Sequence, residues 1–377
     1  MASSSSAHSP VGPAANNRLG ANAFSLSSTS LPGFDFRPSL PAGFLPTGVA
    51  TGDLNGDGNV DWVVSNGGSN DVWVYLERGD GTAALPTIVP LAGQSPTAVA
   101  LTDLRGIGIL DLVVTEADSS TVEVLLGNGD GTFGQGTLYS TPDPPSAVAV
   151  ADFNGDGHLD VVVGMVDEGI NNPSVDTDAI AFLPGDGSGR FGSAVAWSNG
   201  NAVPNITGLA VSDLNGDGRP DLVFLEGYGG APGVYALLGQ GDGTFQQAYY
   251  DNHTPGSVNW DAIAVGDLNE DGHPDLVIID TFGDASVAFG NGDGTFAPES
   301  ARKIFGVGDT AFSASLVDLN GDGHLDLVAG SAGVLSDMTE GLNAGDLVCV
   351  LFGDGAGNLS TATVYRGDPS MYSLAVA

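Results

Sequence analysis

The sequence predicts an all-β fold in which four-stranded blades are arranged as a ring. Three observations lead there. A nine-residue acidic loop recurs six times along the 377 residues. First Asp to first Asp, its copies lie 50, 49, 61, 54 and 51 residues apart, a period that holds four short strands. Between copies, short apolar runs are joined by Gly-Asp-Gly turns, a strong hairpin signal.

The third repeat shows the parts in order. Ala147-Val-Ala-Val-Ala151 is a strand of residues small enough for a crowded central channel. The acidic loop follows, Asp152-Phe-Asn-Gly-Asp-Gly-His-Leu-Asp160. Leu159–Val163 is the second strand and Ala179–Leu183 the third. Gly185–Phe191 then turns the chain into a fourth strand, and the same turn recurs at Gly127–Phe133, Gly239–Phe245 and Gly290–Phe296. The Asp residues of these turns read as turn formers rather than ligands.

The loop itself reads as a calcium site. Calcium takes six to eight oxygen ligands at roughly 2.3–2.6 Å. Side chains at positions 1, 3, 5 and 9, with a backbone carbonyl at 7 and Gly at 6, supply such a set. In the first loop the donors are Asp53, Asn55, Asp57, the Asn59 carbonyl and Asp61. In the third they are Asp152, Asn154, Asp156, His158 and Asp160, and in the fourth Asp213, Asn215, Asp217, Arg219 and Asp221. The fifth offers Asp267, Asn269, Asp271, His273 and Asp275, and the sixth Asp318, Asn320, Asp322, His324 and Asp326. At position 7 only the carbonyl is meant, and the three His side chains are expected to face solvent. An EF-hand or dockerin loop carries a further polar ligand at position 12. Here that place holds Val64, Val114, Val163, Phe224, Ile278 and Ala329, so the loop stops at position 9 and enters a strand.

The second loop, Asp103–Asp111, departs from the pattern. Arg105 stands where the others have Asn, and Ile107 where they have Asp. A cation beside calcium is repelled. This loop is expected to be metal-free, with Arg105 paired to Asp103 or Asp111, which leaves about five calcium sites.

Composition narrows the partners. The formal charge is −37, with only nine Lys and Arg. That excludes a phosphate-tracking nucleic-acid surface and an anionic membrane as partners. Five divalent ions relieve only part of the repulsion, so metal removal is expected to strain the fold. No apolar run is long enough for a membrane span. Cys349 lies in an apolar run and is expected to be a buried core thiol. Residues 1–32, rich in Ser, Ala, Asn and Pro, are expected to be disordered and show no signal peptide.

The unit of small apolar strand, DxNGDGxxD loop, apolar strand and GxGDGTF turn resembles the FG-GAP or VCBS repeats of the integrin-α-type β-propeller. The resemblance covers residues 33–377. It implies a calcium-binding, extracellular β-propeller. Two terminal segments bear on the number of blades. Ser373–Ala377 looks like one more first strand, and Phe34–Leu40 like an outer strand without a blade. The expectation is a seven-bladed ring whose last blade is incomplete in this chain; the alternative is six blades.

The resemblance also implies that ligands meet the face opposite the calcium loops. Long connections are expected there, at 164–178, 198–206, 249–259 and 330–345. Trp197, Tyr228, Tyr249, Tyr250 and Trp260, with Asp251 and Asn252, form a candidate surface for a glycan or protein ligand. No nucleophile motif is present, and no catalytic residue is assigned. The reading is a secreted or cell-surface recognition and adhesion module. The alternative is a secreted hydrolase or lyase, or a non-catalytic part of one. Calcium-dependent retention on glycans favours the first, and polysaccharide turnover the second. The oligomeric state is not legible.

Overall fold

The structure is a computed structural model of the chain. It describes residues 42–366 apart from 167–177, 199–204, 228–232, 252–259, 281–282, 298–302, 307–310 and 333–345.

Twenty-four strands form six four-stranded antiparallel sheets among these residues, each a meander in chain order. The first blade holds β1 (Pro46–Gly52), β2 (Asp61–Asn66), β3 (Asp71–Tyr75) and β4 (Thr87–Pro90). The second holds β5 (Pro96–Thr102), β6 (Asp111–Glu116), β7 (Thr121–Leu125) and β8 (Thr137–Ser140). The third holds β9 (Pro145–Ala151), β10 (Asp160–Met165), β11 (Asp178–Leu183) and β12 (Val195–Ser198). The fourth holds β13 (Ile206–Ser212), β14 (Asp221–Glu226), β15 (Gly233–Gly239) and β16 (Phe245–Asp251). The fifth holds β17 (Trp260–Gly266), β18 (Asp275–Asp280), β19 (Asp284–Ala288) and β20 (Lys303–Gly306). The sixth holds β21 (Ala311–Val317), β22 (Asp326–Ala332), β23 (Asp346–Leu351) and β24 (Thr363–Arg366).

The first strands of successive blades stand side by side in chain order, as around a propeller axis. Second and third strands are apolar on both faces, because each blade is covered by a neighbour on either side. Alternation then assigns residues to interfaces. Val63, Val72 and Val74 of the first blade pack on Leu112, Val114 and Leu125 of the second. Four further cores join the following blades in the same way. The terminal blades also bury the faces turned from their chain neighbours, at Val64 and Tyr75 in the first and Val328 and Val350 in the sixth. Cys349 is buried in the last of these cores, which pushes its thiol up to about 12.

The fold is a six-bladed propeller, which corrects the expectation of seven blades. Each of the six repeats completes its own sheet, so none borrows a strand from the far end of the chain. The segments assigned to a seventh blade, 34–40 and 373–377, lie outside the described residues, as does the N-terminal stretch 1–32.

Each first strand slips register at its start, for example between Pro96 and Ala98. In the second and third blades the slip turns a hydroxyl toward the next blade. Thr97 Oγ1 donates to the Pro145 carbonyl at 2.8 Å, and Ser146 Oγ to the Ile206 carbonyl at 2.6 Å. These bonds fasten the inner strands at the end opposite the acidic loops.

Candidate metal centre

All six acidic loops join the first strand of a blade to its second, so they share one face of the ring. In the first loop Asp53 gathers the backbone. Its Oδ1 accepts from the amides of Gly56 at 2.7 Å and Asp57 at 3.2 Å, and its Oδ2 from Gly58 at 2.8 Å. Asn55 Oδ1 accepts from the Asp57 amide at 2.9 Å, and Asp57 Oδ1 from the Asn59 amide at 2.8 Å. That last bond holds the Asp57 carboxyl below the usual carboxylate range. The third, fourth and sixth loops repeat the pattern around Asp152, Asp213 and Asp318. The fifth does so around Asp267, with Asn269 and Asp271 in place.

The carboxylate at position 9 does something the sequence reading missed. Asp61 is fully buried. Its Oδ2 accepts from the Leu54 amide at 2.9 Å and its Oδ1 from the Glu77 amide at 2.8 Å. It therefore brackets its own loop to the hairpin that follows β3. Asp160, Asp221, Asp275 and Asp326 make the same bracket to Gly185, Gly239, Gly290 and Gly353. Burial raises the pKa of all five, to about 6 for Asp221 and Asp275. A signal was present in the sequence: each of these residues opens a strand buried on both faces.

Position 7 adds a contact that the sequence reading did not anticipate. The side chains of Asn59, Ile109, His158, Arg219, His273 and His324 lie over Gly79, Gly129, Gly187, Gly241, Gly292 and Gly355 of their own blade's turn. His158 and His273 rest on the turn and remain exposed to solvent, as expected, whereas His324 is partly buried. His324 also pairs with Glu270, which reaches across from the fifth loop and raises its pKa. Glu270 holds a left-handed backbone, φ 58°, at a position occupied by Gly in the other loops.

The donors fit calcium by kind. Each of the five loops other than the second offers oxygen donors, and a carboxylate oxygen that accepts one amide keeps a second lone pair. Among the described residues no three His, Cys, Asp or Glu side chains converge as a ready-made cage. An ion there would draw on the amide and carbonyl oxygens of positions 3 and 7 as well as on carboxylates.

In the second loop Arg105 sits on Asp111, Nη2 to Oδ1 at 2.7 Å and Nε to Oδ2 at 3.1 Å. Nη2 also donates to the Gly127 carbonyl at 2.7 Å. The expected pairing is present, on Asp111. Turn chemistry also accounts for the hairpin acids. Asp130 Oδ1 accepts from the Thr132 amide and hydroxyl at 3.0 and 2.6 Å, which holds its carboxyl below the usual range.

Two of the aromatic residues assigned to a ligand surface have ring partners in the neighbouring blade. Trp197 packs edge-on against Phe224 at 6.5 Å, and Tyr249 against Phe296 at 5.4 Å. Both contacts join one blade to the next, and both rings stay partly exposed. Asp251 ends β16, 3.3 Å from the Tyr249 hydroxyl. Tyr228 and Asn252, and the side chains of Tyr250 and Trp260, lie outside the described residues.

The family model described as an FG-GAP-like repeat matches residues 53–114, 103–163, 213–278 and 267–329, more than half of the chain. The chain belongs to the FG-GAP-like repeat family. Human integrin alpha-7 is similar to it, 32% identical over 173 residues, which is 41% of this chain and 14% of that protein. The chain thus matches only a small part of that relative's length. Solved structures are similar in fold alone. One is a putative 6-phosphogluconolactonase from Bacteroides uniformis, with TM-score 0.58, 17% identity and coverage of 88% of this chain and 89% of that one. Another is BBS1N in complex with ARL6DN, with TM-score 0.54, 12% identity and coverage of 84% and 81%. A third is Saccharomyces cerevisiae Sqt1, with TM-score 0.51, 11% identity and coverage of 86% and 96%. The FG-GAP-like matches begin at the first Asp of acidic loops, so the loops are part of what defines the repeat here.

Proposed function

We propose that this propeller is a calcium-stabilised recognition and adhesion module of an extracellular protein. The observation that carries the metal part is the second loop. It lacks two oxygen donors, and there a guanidinium takes up the final carboxylate of the loop. The loops are thus built around positive charge, supplied by an ion in five and by Arg105 in one. When bound, calcium supplies charge neutralisation and cross-linking of the loop. The chain's own residues hold it through Asp53, Asn55, Asp57 and Asp61 and their counterparts.

Recognition rests on the likeness to integrin alpha-7 and on the division of faces. Glycan or protein ligands would meet the face opposite the loops. Most of the long connections assigned to it lie outside the described residues. No helix of the described residues is long and apolar enough to cross a membrane.

The test has two readouts. Native mass spectrometry of the full chain should count about five calcium ions, and chelation should lower the melting temperature by many degrees. An identical melt in chelator and in millimolar calcium overturns the metal reading. Retention on a glycan array or a panel of matrix proteins, with calcium and with chelator, tests recognition. Turnover of a polysaccharide panel without retention would favour a hydrolase or lyase.

A further inference from the structure

We propose that Asn55, Asn154, Asn215 and Asn320 are sites of spontaneous deamidation, and that calcium in the loop holds the reaction back. The second half rests on the metal reading above. Each of the four is followed by glycine. The glycine nitrogen loses its proton and attacks the asparagine Cγ, and ammonia leaves. Water then opens the five-membered imide at either carbonyl, giving aspartate or isoaspartate. Water is consumed, ammonia is released, and nothing is oxidised or reduced. Glycine hinders this attack least because it has no side chain.

The structure leaves the reaction room. Gly56, Gly216 and Gly321 are exposed, and nothing lies within 4 Å of where a Cβ would stand on them. The fifth loop differs at this one bond. Asn269 is followed by Glu270, whose carboxylate is turned to His324. The chain thus carries its own control.

Hydrogen bonding sets the order among the four. The amides of Gly56, Gly155 and Gly321 each donate to the position-1 carboxylate at 2.7 Å, which holds the proton on the attacking nitrogen. In the fourth loop Asp213 accepts from Asp217 and Gly218, and no such bond from Gly216 occurs among the described residues. Asn215 therefore converts first. Calcium on the asparagine oxygen would pin Cγ away from the nitrogen at every site.

The experiment incubates the full chain in mildly alkaline buffer with chelator or with millimolar calcium. Peptides are then mapped by mass spectrometry and isoaspartate is assayed. In chelator, conversion at the four asparagines should exceed that at Asn269 many-fold, with Asn215 leading. Glu270→Gly should bring Asn269 up to the rate of the others. Asn269 keeping pace in the unaltered chain overturns the assignment. So does absence of conversion in both arms while a short peptide spanning Asn215 and Gly216 converts. Equal rates at Asn215 and Asn55 overturn the role of the glycine amide bond. Equal rates with calcium and chelator leave the modification standing and remove the metal's part.

Discussion

Arg105 grips Asp111 with two nitrogens, Nη2 2.7 Å from Oδ1 and Nε 3.1 Å from Oδ2. The carboxylate is fully buried, and the side chain of Arg105 is 21% exposed. In the other loops the position-9 carboxylate takes the amide of position 2 instead. The guanidinium thus replaces that bond and compensates the buried charge from within the chain.

Removing one partner of such a pair strands the other. Arg105→Ala should cost about 3 kcal/mol in urea unfolding, at the low end for a buried pair because one member is partly exposed. The loss should be the same in calcium and in chelator. The double change Arg105→Asn with Ile107→Asp restores the oxygen set of the neighbouring loops. Native mass spectrometry should then count one more calcium ion than in the unaltered chain. No additional ion would mean that the loop backbone, not its side chains, excludes the metal.

The position-9 acids give the chelated protein a pH dependence. Burial raises Asp221 and Asp275 to about 6, above the value of 3.8 for an unfolded Asp. Between those values the folded state holds protons that the unfolded chain has released. Stability is therefore greatest below pH 4 and falls as pH rises through 6, by on the order of 2 kcal/mol per residue at most. If calcium binds as proposed, it would neutralise the ionised carboxylates and flatten the slope. Melting curves across this range, with chelator and with calcium, check both signs. A chelated protein that gains stability as pH rises from 4 to 6 contradicts the assignment.

Much of the blade was legible in the sequence, and the reason is local. The Gly-Asp-Gly turns and the loop that opens each second strand are fixed by backbone geometry within a few residues. What was missed depended on neighbours. The ring contacts of Trp197 and Tyr249 were not legible because composition does not tell which face of a short outer strand meets the next blade. Asp61 and its counterparts looked like simple ligands. An Asp before a strand reads alike whether its oxygens face a cation or two amides. The blade count failed for a related reason. Ser373–Ala377 has the local pattern of a first strand, but a local pattern does not say whether a ring has a place for it.

Glu116 and Glu123, both buried in the second blade, form an unusual pair. Glu116 Oε2 accepts from the Thr121 hydroxyl at 2.7 Å, and its Oε1 has no hydrogen-bond partner among the described residues. Glu123 Oε2 accepts from the Ala92 amide at 2.7 Å. Burial first, and the neighbouring Glu123 carboxyl next, push Glu116 up to about 8. Its contribution to stability is complete below pH 4.5 and is lost as pH rises through 8. Glu116→Gln keeps the acceptor for Thr121 and removes the titration. The variant should be at least as stable as the parent at pH 9 and should lose the part of the pH slope between 6 and 8, as read by denaturant unfolding. Calcium should leave this part of the slope unchanged, which separates it from the loop acids. A parent protein with no slope between pH 6 and 8 would show that the pair is already ionised.

The aromatic joints between blades set the last prediction. Tyr139 of the second blade meets Phe191 of the third edge-on, with centroids 5.5 Å apart. Its hydroxyl also accepts from the Phe191 amide at 3.2 Å. Tyr249 and Phe296 form the corresponding joint between the fourth and fifth blades. Phe296 is buried, so Phe296→Ala removes its packing and leaves a cavity, at about 3 kcal/mol. Tyr249→Ala loses the partner ring and should destabilise less, by about 2 kcal/mol, because Tyr249 is only partly buried. The double variant should cost clearly less than the two singles added, since they share one contact. Binding to any ligand retained on the opposite face should be unchanged at temperatures where the variants stay folded. A Tyr249→Ala protein of parental stability that no longer binds would return this ring to the recognition surface.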